Sequence, residues 1–242
     1  MAPFRFKKFS LSHDNSTMKI GTDAILLAAL TDATQAHSVL DVGCGCGVIA
    51  FCLAQQLSHT QTNPMVFGID PDENSILEAR QNATSYPLLP PDVFHFIHGC
   101  VQDLAAVDQP KKFDLIVSNP PFFGNDLKPT DASRLKSKHR DVQLSFEELL
   151  DSVLKLLNPN GRFTLILPKT EGEEFDRLAS EKLFCRKRVF LQPTAKKPIH
   201  RVIQEYSQEN GPCEEHLLVI RNEQNEYTED YKTVVKPYLL PL

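Results

Sequence analysis

The stretch Ser38-Val39-Leu40-Asp41-Val42, running into Gly43-Cys44-Gly45-Cys46-Gly47, constrains the fold of this chain more than any other segment. Its first half reads as a short buried strand. Directly after the glycines, Val48-Ile49-Ala50-Phe51-Cys52-Leu53-Ala54 takes up helical spacing. Strand, glycine turn and helix in that order open a doubly wound α/β fold. The glycines let backbone approach a bound molecule closely, and the helix N-terminus behind them favours a polar or anionic group.

The alternation continues along the chain. Strands are expected at 38–42, 65–69, 93–97, 113–118 and 162–167, and helices at 48–57, 73–84, 146–157 and 172–182. Thr22 or Asp23 can cap a helix running to about Leu30, Pro71 and Asp72 open the helix at 73, and Ser145 caps the one at 146. Asn158-Pro159-Asn160-Gly161 is expected to end that helix and precede the next strand. Residues 184–191, 201–207 and 215–221 are strand-rich and lack helical spacers. The expected architecture is Rossmann-like α/β: a doubly wound, mostly parallel seven-stranded sheet, closed by a terminal antiparallel hairpin, with helices on both faces. A length of 242 residues suits a single domain spanning 1–242, in which 1–36 form an N-terminal segment and a capping helix.

In such a sheet, ligands sit at the carboxyl ends of the strands. Asp41 and Asp70 fall there, and so does Asn119-Pro120-Pro121-Phe122, after the apolar strand Phe113 to Ser118. Two prolines cannot continue the strand's hydrogen bonding, so the chain turns. The turn offers an amide, backbone carbonyls and an aromatic face. An amide oxygen and a carbonyl can accept both hydrogens of a planar NH2 group while the ring stacks on the flat system that bears it. Adenine, cytosine and carboxamides all carry such a group. Residues 45–50 also fit G-x-G-x-x-A, the dinucleotide pattern. An acid just before the first glycine would repel a pyrophosphate, however, and attract the ammonium of an amino-acid-bearing cofactor. Asp70 suits ribose hydroxyls in either class. Together, Asp41, Gly43, Gly45, Gly47, Asp70 and Asn119 select S-adenosylmethionine over NAD.

The combination of Asp-Val-Gly-Cys-Gly-Cys-Gly with Asn-Pro-Pro-Phe resembles class I methyltransferases that act on amino nitrogens. Lys19-Ile20-Gly21-Thr22-Asp23-Ala24, the opening Phe4-Arg5-Phe6-Lys7-Lys8-Phe9, the late Ile199-His200-Arg201-Val202-Ile203-Gln204-Glu205 and the ending Tyr227-Thr228-Glu229-Asp230-Tyr231 narrow the match. They resemble the valine tRNA (adenine-37-N6)-methyltransferase family over nearly the whole chain. The resemblance implies methyl transfer from S-adenosylmethionine to the exocyclic N6 amine of adenine 37 in a valine tRNA. It assigns Asn119, Pro120, Pro121 and Phe122 to catalysis and carries Thr22 and Asp23 over to the amino-acid end of the cofactor. Such enzymes place an Asp after the third strand to bind the cofactor adenine, and here that position is Cys100. A thiol is a poor acceptor, so either Asp103 or the backbone near Val101 takes the role. Ribosomal RNA bases and a protein glutamine are the alternative acceptors. The helical domain that protein glutamine methyltransferases carry ahead of their first strand is not expected here, because the residues before Ser38 are too few to form it.

Net charge is −5, against nucleic-acid binding in bulk, but the cations are clustered. Arg134, Lys138 and Arg140 follow the proline turn, and Lys196, Lys197 and Arg201 form a second group. A basic face on an acidic protein binds phosphates locally. Residues 124–142 are too long and too polar for an ordinary connection and read as a substrate loop. Cys44 and Cys46 read as small turn residues without metal spacing, and Cys52, Cys100 and Cys185 as small residues in apolar contexts; no metal and no disulfide are expected. Met1-Ala2-Pro3-Phe4-Arg5 lacks the apolar core of a signal peptide, and no apolar run spans a membrane. The expected protein is a cytoplasmic monomer whose partner is tRNA.

Overall fold

Asp41 and Ser38 are buried together with Val39, Leu40 and Val42, so every residue of the first long strand is enclosed. That pattern belongs to a central strand covered on both faces. The computed structural model describes residues 2–16, 19–121 and 144–241. A two-stranded ribbon, β1 (Phe4–Arg5) and β2 (Ser10–Leu11), precedes α1 (Thr22–Leu30). The alternation then runs β3 (Ser38–Val42), α2 (Val48–Leu57), β4 (Met65–Asp70), α3 (Glu73–Ser85), β5 (Phe94–His98), α4 (Val101–Ala106) and β6 (Phe113–Ser118). After the undescribed stretch come α5 (Phe146–Leu156), β7 (Leu157–Pro168), α6 (Lys169–Ala179), β8 (Phe184–Thr194), β9 (Arg201–Ser207), β10 (Glu214–Arg221) and α7 (Glu229–Val235).

The large sheet has the order β10-β8-β9-β7-β6-β3-β4-β5. It is parallel except at β9, which runs antiparallel to both β7 and β8. The Rossmann-like, mostly parallel architecture expected from the sequence is therefore present, with its antiparallel pair β8–β9. An eighth strand extends it: β10 returns outside β8 and pairs with it in parallel. Glu214 and Glu215 stand exposed at its start, charges that blunt a free sheet edge.

Side chains alternate across the sheet. Val39, Leu115 and Val117 join one core with α1, α2 and α3, while Leu40 and Ile116 join the other with α4, α5 and α6. Helix α2 is apolar nearly all round because it lies between the sheet and α1. Helix α5 shows why its start was readable. The Ser145 hydroxyl accepts from the Glu148 amide at 3.2 Å and the Glu148 carboxylate accepts from the Ser145 amide at 2.8 Å, a reciprocal cap.

Three local expectations are corrected. Gly21, not Thr22 or Asp23, is the N-cap of α1, and those two residues are its first helical positions. Strand β7 begins at Leu157, which pairs with Phe113; pairing resumes at Arg162 opposite Leu115, so Asn158 to Gly161 are taken up in an irregularity instead of preceding the strand. Helix α6 starts at Lys169, directly after Pro168, three residues before its expected start.

Candidate active site

The carboxyl ends of the parallel strands bring the glycine turn, Asp41, Asp70 and Asn119 to one edge of the sheet. Gly43, Gly45 and Gly47 have φ of +73°, +53° and +87°, a left-handed backbone that costs other residues about 1–2 kcal/mol each. The amides of Gly43 and Cys44 both donate to the Ile69 carbonyl, at 2.9 and 3.2 Å, so the turn folds over the end of β4. Cys44 and Cys46 point into the core. The intervening glycines face outward, and a Cβ at Gly43 or Gly45 would meet nothing within 4 Å. Gly47 differs, because a Cβ there would lie 2.7 Å from the Phe51 ring.

Two carboxylates flank this cradle. One Asp70 oxygen accepts from the Gly45 amide at 2.8 Å and the other from the Asp72 amide at 2.9 Å. Burial raises the Asp70 pKa, against the lowering effect of those two amides. Asp70 therefore shapes the glycine turn, and each oxygen keeps a lone pair for a further donor. Asp41 is fully buried at the end of β3. Its Oδ2 accepts from the Ala50 amide at 3.1 Å, capping α2, whose N-cap Gly47 has no side chain for that task. Its Oδ1 is buried with no hydrogen-bond partner among the described residues. Burial pushes its pKa up to about 7, the Ala50 amide opposing and the Asp70 charge adding to the rise.

Asn119 follows β6 directly. The Ser118 hydroxyl donates to the Val42 carbonyl at 3.0 Å, fastening the ends of β6 and β3 together. The Asn119 Oδ1 is buried and has no hydrogen-bond partner among the described residues. Pro120 is buried and Pro121 exposed. Phe122, Arg134, Lys138 and Arg140, with the whole of the expected substrate loop at 124–142, lie outside the described residues.

Cys100 is the N-cap of α4, with no side-chain capping bond, and Val101 is the buried first residue of that helix. Asp103 is exposed. Asp23 and Arg201, assigned from sequence to separate sets, meet: the Arg201 Nε donates to Asp23 Oδ2 at 2.9 Å, with the arginine side chain only 16% exposed. Arg201 thus joins β9 to α1. Lys196 is 75% exposed and pairs with Glu223 at 2.9 Å. Lys196 and Lys197 lie in the turn between β8 and β9, on the same edge of the sheet as Asn119. Strands β6 and β8 are three strand spacings apart, roughly 14 Å.

Sequence reasoning overlooked Glu78 and Asn82, both buried on α3. Their signal was an i, i+4 polar pair beside the apolar stripe Ile76, Ala79 and Ala83. Nothing in the sequence names what they bind.

A methyltransferase-domain family model matches residues 33–228. A tRNA1(Val) (adenine(37)-N6)-methyltransferase of Trichodesmium erythraeum is 35% identical, the match covering 98% of this chain and 97% of that protein. One of the same name from Proteus mirabilis is 34% identical, with 98% and 93% covered. Among solved structures, a predicted O-methyltransferase of Agrobacterium tumefaciens superposes with a TM-score of 0.66 at 15% identity, over 89% of this chain and 96% of that one. At that identity the likeness speaks for the fold.

Proposed function

The chain belongs to the tRNA1(Val) (adenine(37)-N6)-methyltransferase family, and we propose that it methylates the exocyclic N6 amine of adenine 37 in the anticodon loop of a valine tRNA, acting as a monomer with S-adenosylmethionine as donor. The observation that carries this reading is the Asn119 amide oxygen. It is buried without a partner among the described residues, at the end of the strand tied to the strand that feeds the glycine turn. An unpaired buried acceptor costs about 1–3 kcal/mol, and an incoming N–H donor relieves that cost.

The cofactor fits the residues present. The unpartnered Asp41 Oδ1 is an acceptor for an ammonium group, and the open faces of Gly43 and Gly45 leave room for a ligand to lie against the backbone. The remaining lone pairs of Asp70 suit ribose hydroxyls, the backbone near Val101 suits an adenine edge, and Thr22 borders the amino-acid end. When bound, S-adenosylmethionine supplies an electrophilic methyl group on a sulfonium.

The protein's task is then chiefly positioning. Asn119 Oδ1 and the Pro120 carbonyl accept the two amine hydrogens. Holding both turns the nitrogen lone pair out of conjugation and toward the methyl. Phe122 stacks on the base. A bound sulfonium would supply the methyl and be left as a neutral thioether, and the amine proton would pass to solvent afterwards, so no strong base is required of this chain. A base in a loop is extruded for only a few kcal/mol. Phosphate contacts from Arg134, Lys138 and Arg140 beside the base, and from Lys196 and Lys197 farther along the arm, fix its register.

The test is incubation with radiolabelled S-adenosylmethionine and, separately, total tRNA, ribosomes and release factors from cells lacking the gene. Label in tRNA alone supports the reading. Label in ribosomal RNA or in protein replaces it with one of those acceptors.

A further inference from the structure

Residues 12–16 are held by α3. One Glu78 carboxylate oxygen accepts from the Ser12 hydroxyl at 2.9 Å, the Asp14 amide at 2.7 Å and the Asn15 amide at 3.2 Å. The other accepts from the Ser16 amide at 2.9 Å. Glu78 is 2% exposed. A carboxylate this deeply buried needs compensation, and here neutral donors from one short segment supply it. Asn82, one turn later, accepts from the Ser12 amide at 2.8 Å and donates to the Ser12 carbonyl at 3.0 Å. The same amide nitrogen donates to the Cys46 carbonyl at 3.1 Å. Segment and glycine turn are therefore fastened to each other through α3.

The segment leads on to α1. The Lys19 ammonium donates to the carbonyls of His13 and Asp14, at 2.7 and 2.9 Å, which ties the residues entering α1 back to the clamped stretch. At the far end, Asp23 is held by Arg201 on β9. Residues 12–16 are thus anchored on α3, and Asp23, at the start of α1, is anchored on β9. Strand β3 and its glycine turn lie between those two anchors in the sheet order.

We infer that Glu78 is a positioning residue for the cofactor site: it holds residues 12–16, and through Lys19 the entry to α1, as a strap fastened beside the glycine turn, and so sets where Thr22 and Asp23 sit. It touches neither cofactor nor substrate and acts through the strap. The inference rests on the proposed use of S-adenosylmethionine. Glu78→Gln keeps one acceptor oxygen but turns an NH2 toward a backbone N–H, which loosens the strap while preserving side-chain volume. Ser12→Ala removes a single hydroxyl donor from the same carboxylate and is the milder variant should Glu78→Gln fold poorly.

The experiment measures S-adenosylhomocysteine affinity by calorimetry, tRNA affinity, and amide hydrogen exchange of residues 12–23 in full-length protein. Glu78→Gln is expected to weaken S-adenosylhomocysteine about tenfold, an ordinary size for coupling between a site and its support. Ser12→Ala is expected to weaken it about threefold, the loss of one ordinary hydrogen bond. Exchange in the strap should quicken, while tRNA affinity and exchange in β3 to β7 stay as in wild type. If folded variants show a loosened strap yet bind S-adenosylhomocysteine as wild type does, the inference is wrong. If wild type itself fails to bind it, the proposed function is what falls.

Discussion

Replacing Asp41 by Asn probes the electrostatics of the site with little change of shape. The wild-type carboxyl is fully buried, has one oxygen on the Ala50 amide and the other unpartnered among the described residues, and titrates at about 7. Unfolded, the group titrates at its ordinary value of 3.8. Between those values the folded protein holds the extra proton. The contribution to stability is therefore full below the unfolded pKa and is lost as pH rises toward 7, by up to about 4 kcal/mol if the whole shift is expressed. A cationic ligand reverses the preference, because it binds the ionised form. Its affinity should rise with pH, by about 25-fold between pH 5.5 and 7.5, and level off above. Calorimetric titration of S-adenosylhomocysteine across that range measures the slope. Asp41→Asn should remove it, weaken binding at pH 7.5 by about 10- to 100-fold as a charge-assisted bond is lost, and leave the free protein more stable than wild type above pH 7. A flat wild-type profile, or an unchanged slope in Asp41→Asn, would refute the placement of the ammonium at this carboxylate.

Asn119→Ala should lower kcat about 100-fold or more, the usual effect of deleting one transition-state contact, with S-adenosylmethionine affinity nearly unchanged in equilibrium binding; parallel loss of both would make Asn119 structural. Gly45→Ala, strained at φ +53° but sterically open, should cost about 1–2 kcal/mol of stability and weaken the cofactor, whereas Gly47→Ala should cost more, since its Cβ would press on Phe51; urea melts distinguish the two. Changing Lys196 and Lys197 together to Gln should weaken tRNA binding and reduce the slope of log K against log salt by about 0.7–0.9 per lost phosphate contact, leaving cofactor affinity alone; an unchanged slope would assign both lysines to a solvated surface.

The parallel part of the fold was legible because its signals are local. Ser38 to Val42 and Phe113 to Ser118 are short, largely apolar runs leading into a glycine or proline turn, and both strands fall where the runs do. Ser145 and Glu148 spell out a helix start at their own spacing. Elements set by pairing were harder. Leu157 becomes a strand residue by facing Phe113, with Asn158 to Gly161 accommodated between two registers, and no local propensity announces that. Strand β10 reads as a strand, yet its parallel pairing with β8 depends on where β9 inserts. The site divides along the same line. The positions of Asp41, Asp70 and Asn119 at strand ends follow from the alternation. That Asp70 already holds the Gly45 amide, that Asp23 meets Arg201 across the molecule, and that Glu78 gathers donors from Ser12 to Ser16 are long-range facts. Single-chain periodicity carries no information about them.

Purified protein, S-adenosylmethionine and an unmodified valine tRNA transcript should yield N6-methyladenosine at position 37 by nucleoside mass spectrometry with site mapping, and a transcript bearing guanine there should yield none. Methylation at another adenosine, or equal methylation of the guanine-bearing transcript, would show that adenine 37 is not the acceptor.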